Sequence, residues 1–244
     1  MAHSPAADYP GAAPDRVEPP ALADVPAVRR IGPADLTEAL RRGFDDFMAM
    51  PSHVVFISLI YPIAGVALAG FVLGANVLPL LYPLAAGFAL LGPVAAIGLY
   101  EMSRRREAGL DASWLHARDV LRSPALGSIA LLGLVLLVIF VAWLTTAQAL
   151  YQSIYGWHAP ESLPGFLYEV LTTARGWRLI LLGNAIGAVF AVTAFAISVV
   201  SFPLMLDRNV GMVTAVLTSL RAVAASPGTM AFWGLIVTGL LVVG

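Results

Sequence analysis

Residues 131–144 read LLGLVLLVIFVAWL. No charge interrupts them, and the uncharged run extends from Ala125 to Leu150. A helix needs about twenty consecutive apolar residues to cross the hydrocarbon core of a bilayer, so 125–150 predicts a membrane span. Working outward, His53–Gly74 (HVVFISLIYPIAGVALAGFVLG), 78–102 and 179–206 meet the same requirement, and 229–244 begins a fifth span. The short link 75–77 makes the first two a hairpin. The expected fold class is therefore all-α, a polytopic transmembrane helical bundle occupying 31–244. Residues 1–30, rich in Pro, Ala and Asp, read as a disordered tail with too little apolar content to offset ordering.

Composition agrees. Of 244 residues, 59% are hydrophobic and 12% charged, with mean hydropathy +0.83, against about 25% charged residues in ordinary globular chains. The net charge of −1 gives no sign of nucleic-acid binding. All fourteen basic residues are Arg, the usage of a GC-rich coding sequence. With no Cys, disulfides and thiolate metal sites are excluded.

Arg placement sets an expected orientation. Twelve Arg fall on the side of the N-terminus, including Arg104, Arg105 and Arg106, while only Arg175 and Arg178 fall on the other. By the positive-inside rule the N-terminus is cytoplasmic, which for a bacterial chain means a multi-pass inner-membrane protein. Three segments on that side, 34–50, 112–122 and 210–224, are amphipathic. Leu36, Leu40, Phe44, Phe47 and Met48 mark one apolar stripe; Val213, Val216, Leu217, Leu220, Val223 and Ala224 mark another. Each segment reads as a helix in the membrane interface and ends at a proline: Pro51, Pro124 or Pro227. Pro ends the preceding helix and suits the first turn of the next, and Ser123 and Ser226 are candidate caps. The pattern predicts three repeats of interfacial helix plus hairpin. The last hairpin lacks its second span, so the sequence reads as a truncated form of a six-span protein.

Two stretches, PLLYPLAAGFALLGPVAAIGLYEMSRRRE (79–107) and FPLMLDRNVGMVTAVLTSLRAVAASP (202–227), resemble the bacterial DUF2189 family of predicted integral membrane proteins. The resemblance covers roughly 28–244 and implies one further apolar segment beyond Gly244. The family brings no established activity. Some members carry an automatic label as cytochrome c oxidase subunit I, which requires several buried His ligands. His53 lies at the mouth of a span, and His3, His116 and His158 lie outside the expected hydrocarbon, so the ligand count excludes that catalysis.

Ionisable residues inside a membrane are functional candidates by default, and Glu101 is the one at hand. Arg104 follows one turn on, which favours an ion pair at a span's end over a proton gate. Asp207–Arg208 occupies the equivalent place after the fourth span. Asn184 calls for a partner on a neighbouring helix, and Gly183, Gly187 and Ala191 around it favour close packing. Pro62, Pro79, Pro83 and Pro93 admit broken helices of the kind that bind solutes. Tyr151, Tyr155, Trp157 and Trp177 form a candidate interfacial belt, and 162–173 a short helix. His158 and Glu161 are a weak metal pair.

No catalytic motif appears. The expectation is a non-enzymatic accessory, scaffold or assembly partner, without cofactor, whose partners are the lipid bilayer and another membrane protein or complex. The alternative is a small-solute or lipid transporter.

Overall fold

The computed structural model describes residues 26–49, 78–88, 96–110, 123–157, 160 and 162–243. Every regular element among them is helical. In chain order these are α1 (Pro33–Ala49), α2 (Leu81–Phe88, entered through a tight turn at Leu78–Leu80), α3 (Ile97–Glu107), α4 (Leu126–Tyr155) and α5 (Leu163–Thr172). There follow α6 (Ala174–Ser198), α7 (Ser201–Arg208), α8 (Met212–Ala225) and α9 (Pro227–Val243). The expected span 53–74, the interfacial segment 112–122, tail residues 1–25 and all four His lie outside the described residues.

Two stretches, Leu126–Tyr155 and Ala174–Arg208, are long and apolar enough to cross a membrane. The first extends past Leu150, the expected end of its span, to Tyr155. The second starts five residues before Leu179 and is interrupted at Val199–Val200, which separate α6 from α7. Packed side by side, α4 and α6 form the centre of the bundle, with α2 and α8 on their flanks. Much of their surface is apolar and exposed, including Leu134, Val138, Leu181, Val189 and Val192, as a lipid-facing surface requires.

A slot around Trp143 sets the distance between α4, α6 and α2. The indole is buried, donates its Nε1–H to the Pro83 carbonyl at 2.9 Å and lies 5.7 Å from the Phe190 ring. A Cβ at Gly187 would sit 3.0 Å from the indole, and one at Gly87 would come within 2.6 Å of Phe140. Within the small-residue stripe of α6, Gly187 therefore serves packing.

The buried centre nearer the Arg-rich end joins Ile97, Ile129, Leu132, Leu136, Ala194, Phe202, Met205 and Ala215. It also contains hydroxyls. Ser219 on α8 is fully buried, donates to Ala196 O at 2.7 Å and accepts from Val200 N at 3.3 Å. Helix ends leave such backbone groups without partners, so Ser219 bridges the α6–α7 break from outside. Asn209 then reverses the chain with φ 49, a left-handed conformation tolerated by Asn.

The face that α8 buries consists of Ala215, Thr218 and Ser219, while Val213 and Leu220 of its apolar stripe are exposed. Small residues admit close helix contact, with Met212 and Val216 packing at the margin of the core. At Ser226–Pro227 the chain bends by 106° into α9. Ser226 does not cap α9 with its side chain: its Oγ accepts from Ile31 N at 3.0 Å. Ser123 does not cap α4 either: its Oγ accepts from Ala125 N at 3.2 Å within the preceding turn, and the N-cap position is Ala125, which has no side-chain cap. Of the three expected repeats, only the last shows its Pro junction with a described helix on both sides.

At the opposite end of the bundle, Ser162 caps α5 through Gly165 N and Thr173 caps α6 through Gly176 N. Tyr151 and Tyr155 stack at 5.2 Å and meet Phe166 of α5 edge-on. These two tyrosines fasten α5 to α4, while Trp157 and Trp177 are exposed.

Candidate functional site

The densest charge in the described structure gathers at the Arg-rich end, where α3 packs on α7 and is bonded to α1. α3 is apolar at its start and ends in Ser103–Arg104–Arg105–Arg106, which puts its polar groups at the bundle's edge. Glu101, one turn inside that edge, is 4% exposed. A carboxylate so placed needs counter-charge and donors, and Arg104 supplies both. Its Nε and Nη2 donate to the two carboxylate oxygens at 2.8 Å each, and Arg105 Nη1 lies 3.9 Å from Oε1. The Glu101 hydrogen bonds raise the Arg104 pKa, with a smaller contribution from the negative charge of Asp207. Glu101 is thus engaged by the bidentate fork of one Arg and approached by a second.

Asp46, near the end of α1, is the second anchor. It accepts from Ser103 Oγ and from Arg106 Nη1. The link joins elements 60 positions apart and was not legible in the sequence, where Asp46 is one of several acids on an amphipathic stripe. Along α1, Glu38 receives Arg41 at 3.0 Å through two nitrogens and Arg42 at 2.6 Å, while Arg41 also reaches Asp45 at 3.3 Å. The Arg41 and Arg42 hydrogen bonds bring the Glu38 carboxyl down to about 2. By contrast, Arg208 and Asp207 are both exposed, 3.8 Å apart.

The other end of α1 is tied as well. Ile31, just before it, gives its N–H to Ser226 and takes the Thr229 hydroxyl on its carbonyl at 3.1 Å. Both partners flank the Pro227 bend. One short helix is therefore fastened to α3 through Asp46 and to the α8–α9 junction through Ile31.

Between the spans, the Tyr82 hydroxyl donates to Asn184 Oδ1 at 2.7 Å, and Asn184 Nδ2 donates to Ile180 O at 2.8 Å. The expected partner for Asn184 on a neighbouring helix is Tyr82 of α2. Pro83 acts through its carbonyl in the Trp143 slot, and Pro79 lies in the turn before α2; Pro62 and Pro93 lie outside the described residues. So do His158 and Glu161. Among the described residues no three His, Asp or Glu gather as metal ligands.

These arrangements can hold charge, brace helices and present an ion-paired ridge. The charged end of α3, the Trp143 slot and the Tyr82–Asn184 pair all fall inside residues 81–207, the stretch matched by the family model described as "Predicted integral membrane protein (DUF2189)". Comparison with curated proteins and with solved structures returned no match. A match over more than half of the chain, together with two helices long and apolar enough to span a bilayer, means that this chain belongs to the DUF2189 family of integral membrane proteins.

Proposed function

We propose that this is a non-enzymatic inner-membrane protein, N-terminus cytoplasmic, that works as an accessory, scaffold or assembly partner of another membrane component. The observation that carries the reading is the division of polar groups. Several of those on the described helices of the bundle brace it: Trp143 on Pro83, Tyr82 on Asn184, Ser219 across the α6–α7 break. Most of the accessible charge lies at the Arg-rich end, where Glu38, Arg41, Arg42 and Asp45 form an ordered ridge on α1, while Arg175 and Arg178 are exposed at the other end. An ion-paired ridge on a helix tied at both ends is pre-organised for docking. The excess of Arg at this end supports the cytoplasmic assignment.

Purification in mild detergent, wild type against Arg41→Glu/Arg42→Glu, tests this. A membrane protein that co-elutes reproducibly with the wild type and is lost from the charge-reversed protein is the expected result. A monodisperse protein with no reproducible partner across detergents would overturn it.

The transporter reading is favoured by one observation, the exposure of both Tyr82 and Asn184 between the spans. Reconstituted vesicles decide it: solute or lipid flux above that of empty vesicles, reduced by Tyr82→Phe, would support transport, and no excess flux would remove it.

A further inference from the structure

α1 carries a ridge at four-residue spacing, Leu36, Leu40, Phe44 and Met48, which places these side chains in one row along the helix. Leu36 is buried at 6% exposure, but Leu40, Phe44 and Met48 are 37%, 63% and 66% exposed. The row thus starts inside the protein and emerges from it. Its depth is set by the two tethers. Ile31 is bonded to Ser226 and Thr229 where α9 begins, and Asp46 to Ser103 and Arg106 where α3 turns from apolar to charged. Both anchors are points where an apolar helix meets polar sequence, so α1 lies at the level of a polar–apolar boundary, with its outer row continuing an existing buried contact.

Charge narrows the partner further. α1 has four acids (Asp35, Glu38, Asp45, Asp46) and two bases (Arg41, Arg42), a formal charge of −2. An interfacial helix is held by apolar area plus attraction to anionic lipid, and α1's own residues do not supply the second contribution. We propose that Leu40, Phe44 and Met48 insert between the headgroups of the leaflet at the Arg-rich end, and that the surface they recognise is loosely packed lipid and not anionic lipid. The partner is the bilayer surface itself, read through packing defects wide enough for Phe and Met. The proposal stands apart from the docking reading, which concerns the charged face of the same helix.

The chain has no Cys, so one introduced thiol gives one label. The full chain with Phe44→Cys carrying an environment-sensitive fluorophore is reconstituted into phosphatidylcholine vesicles, beside Ala39→Cys on the opposite side of α1. Expected is quenching of the 44 label by shallow nitroxide lipids and protection from iodide, with the reverse at 39. The 44 emission should also shift to the blue from saturated to unsaturated acyl chains, and stay put when phosphatidylglycerol replaces part of the phosphatidylcholine. Equal iodide access at 44 and 39 would overturn the proposal, as would a 44 label shielded from both quenchers, which means protein covers the ridge. Emission that follows phosphatidylglycerol and ignores acyl packing would overturn the charge argument. Met48→Cys repeats the measurement on a second exposed site if the Phe44 variant fails to fold.

Discussion

Tyr82 donates its phenolic proton to Asn184 across 2.7 Å, joining α2 to α6 over 102 positions of sequence. Hydrogen bonds between membrane helices average about 0.6 kcal/mol and reach about 1.7, so this pair orients α2 more than it stabilises the bundle. Tyr82→Phe, Asn184→Leu and the double variant, unfolded in mixed micelles, should show a positive coupling within that range. Strictly additive effects would mean that the two side chains do not interact.

The Trp143 slot is less forgiving. Gly187→Leu drives a branched side chain into an indole already 3.0 Å from the Cβ position. Overpacking of this kind costs about 1–3 kcal/mol. Trp143→Phe forfeits the bond to Pro83, about 1 kcal/mol, and leaves a small cavity beside Gly187. Thermal unfolding in detergent should rank the two in that order.

Ser219 satisfies two backbone groups with one hydroxyl. Ser219→Ala leaves Ala196 O and Val200 N short of a partner in a buried place, a cost of about 1–3 kcal/mol. Hydrogen exchange should quicken first around 196–201, and unchanged protection there would refute the bridging role.

Glu101→Gln removes the charge that Arg104 grips while keeping the shape. A hydrogen bond to a charged group contributes about 1.5–3 kcal/mol, and the half-exposed Arg104 places the loss at the lower end. The expected result is a reduced unfolding midpoint with an intact fold by circular dichroism.

The acid response of α1 has a definite sign. Glu38 has its carboxyl lowered from 4.5 to about 2 in the folded chain. Its pairing is therefore complete above the unfolded value of 4.5 and is lost as pH falls toward about 2. Carbon-detected titration of labelled Glu should place Glu38 well below the ordinary range, and Arg41→Gln should move it back up.

The strongest signals in the sequence were local. An uncharged run as long as 125–150 already implies α4, because length and apolarity are properties of the segment itself. The small helix at Leu163–Thr172 is announced by Ser162 and by the proline after it. What stayed hidden depends on distant partners. Ser226 looked like a cap for α9 because a Ser before Pro usually serves its own helix; its side chain is taken by Ile31, 195 positions away. The stripe of large apolar residues on 210–224 was plain. Nothing in it said that the Ala215/Ser219 side would face protein, since in a lipid surround small and hydroxylated residues make the tighter contact. Asn184 asked for a partner without naming Tyr82. The site at the Arg-rich end was half visible: Glu101 and Arg104 are neighbours on one helix, whereas Asp46 joins them only through the fold.

Ser226 and Thr229 both form their hydrogen bonds with the main chain of Ile31 in fastening the approach to α1. Position 31 can therefore drift through many residue types over evolution without weakening the stitch. Paired changes among relatives would leave no record of it. Proline is the exception, because it has no N–H to give, so the signature of this contact in a set of homologous sequences would be a forbidden residue and not a matched pair.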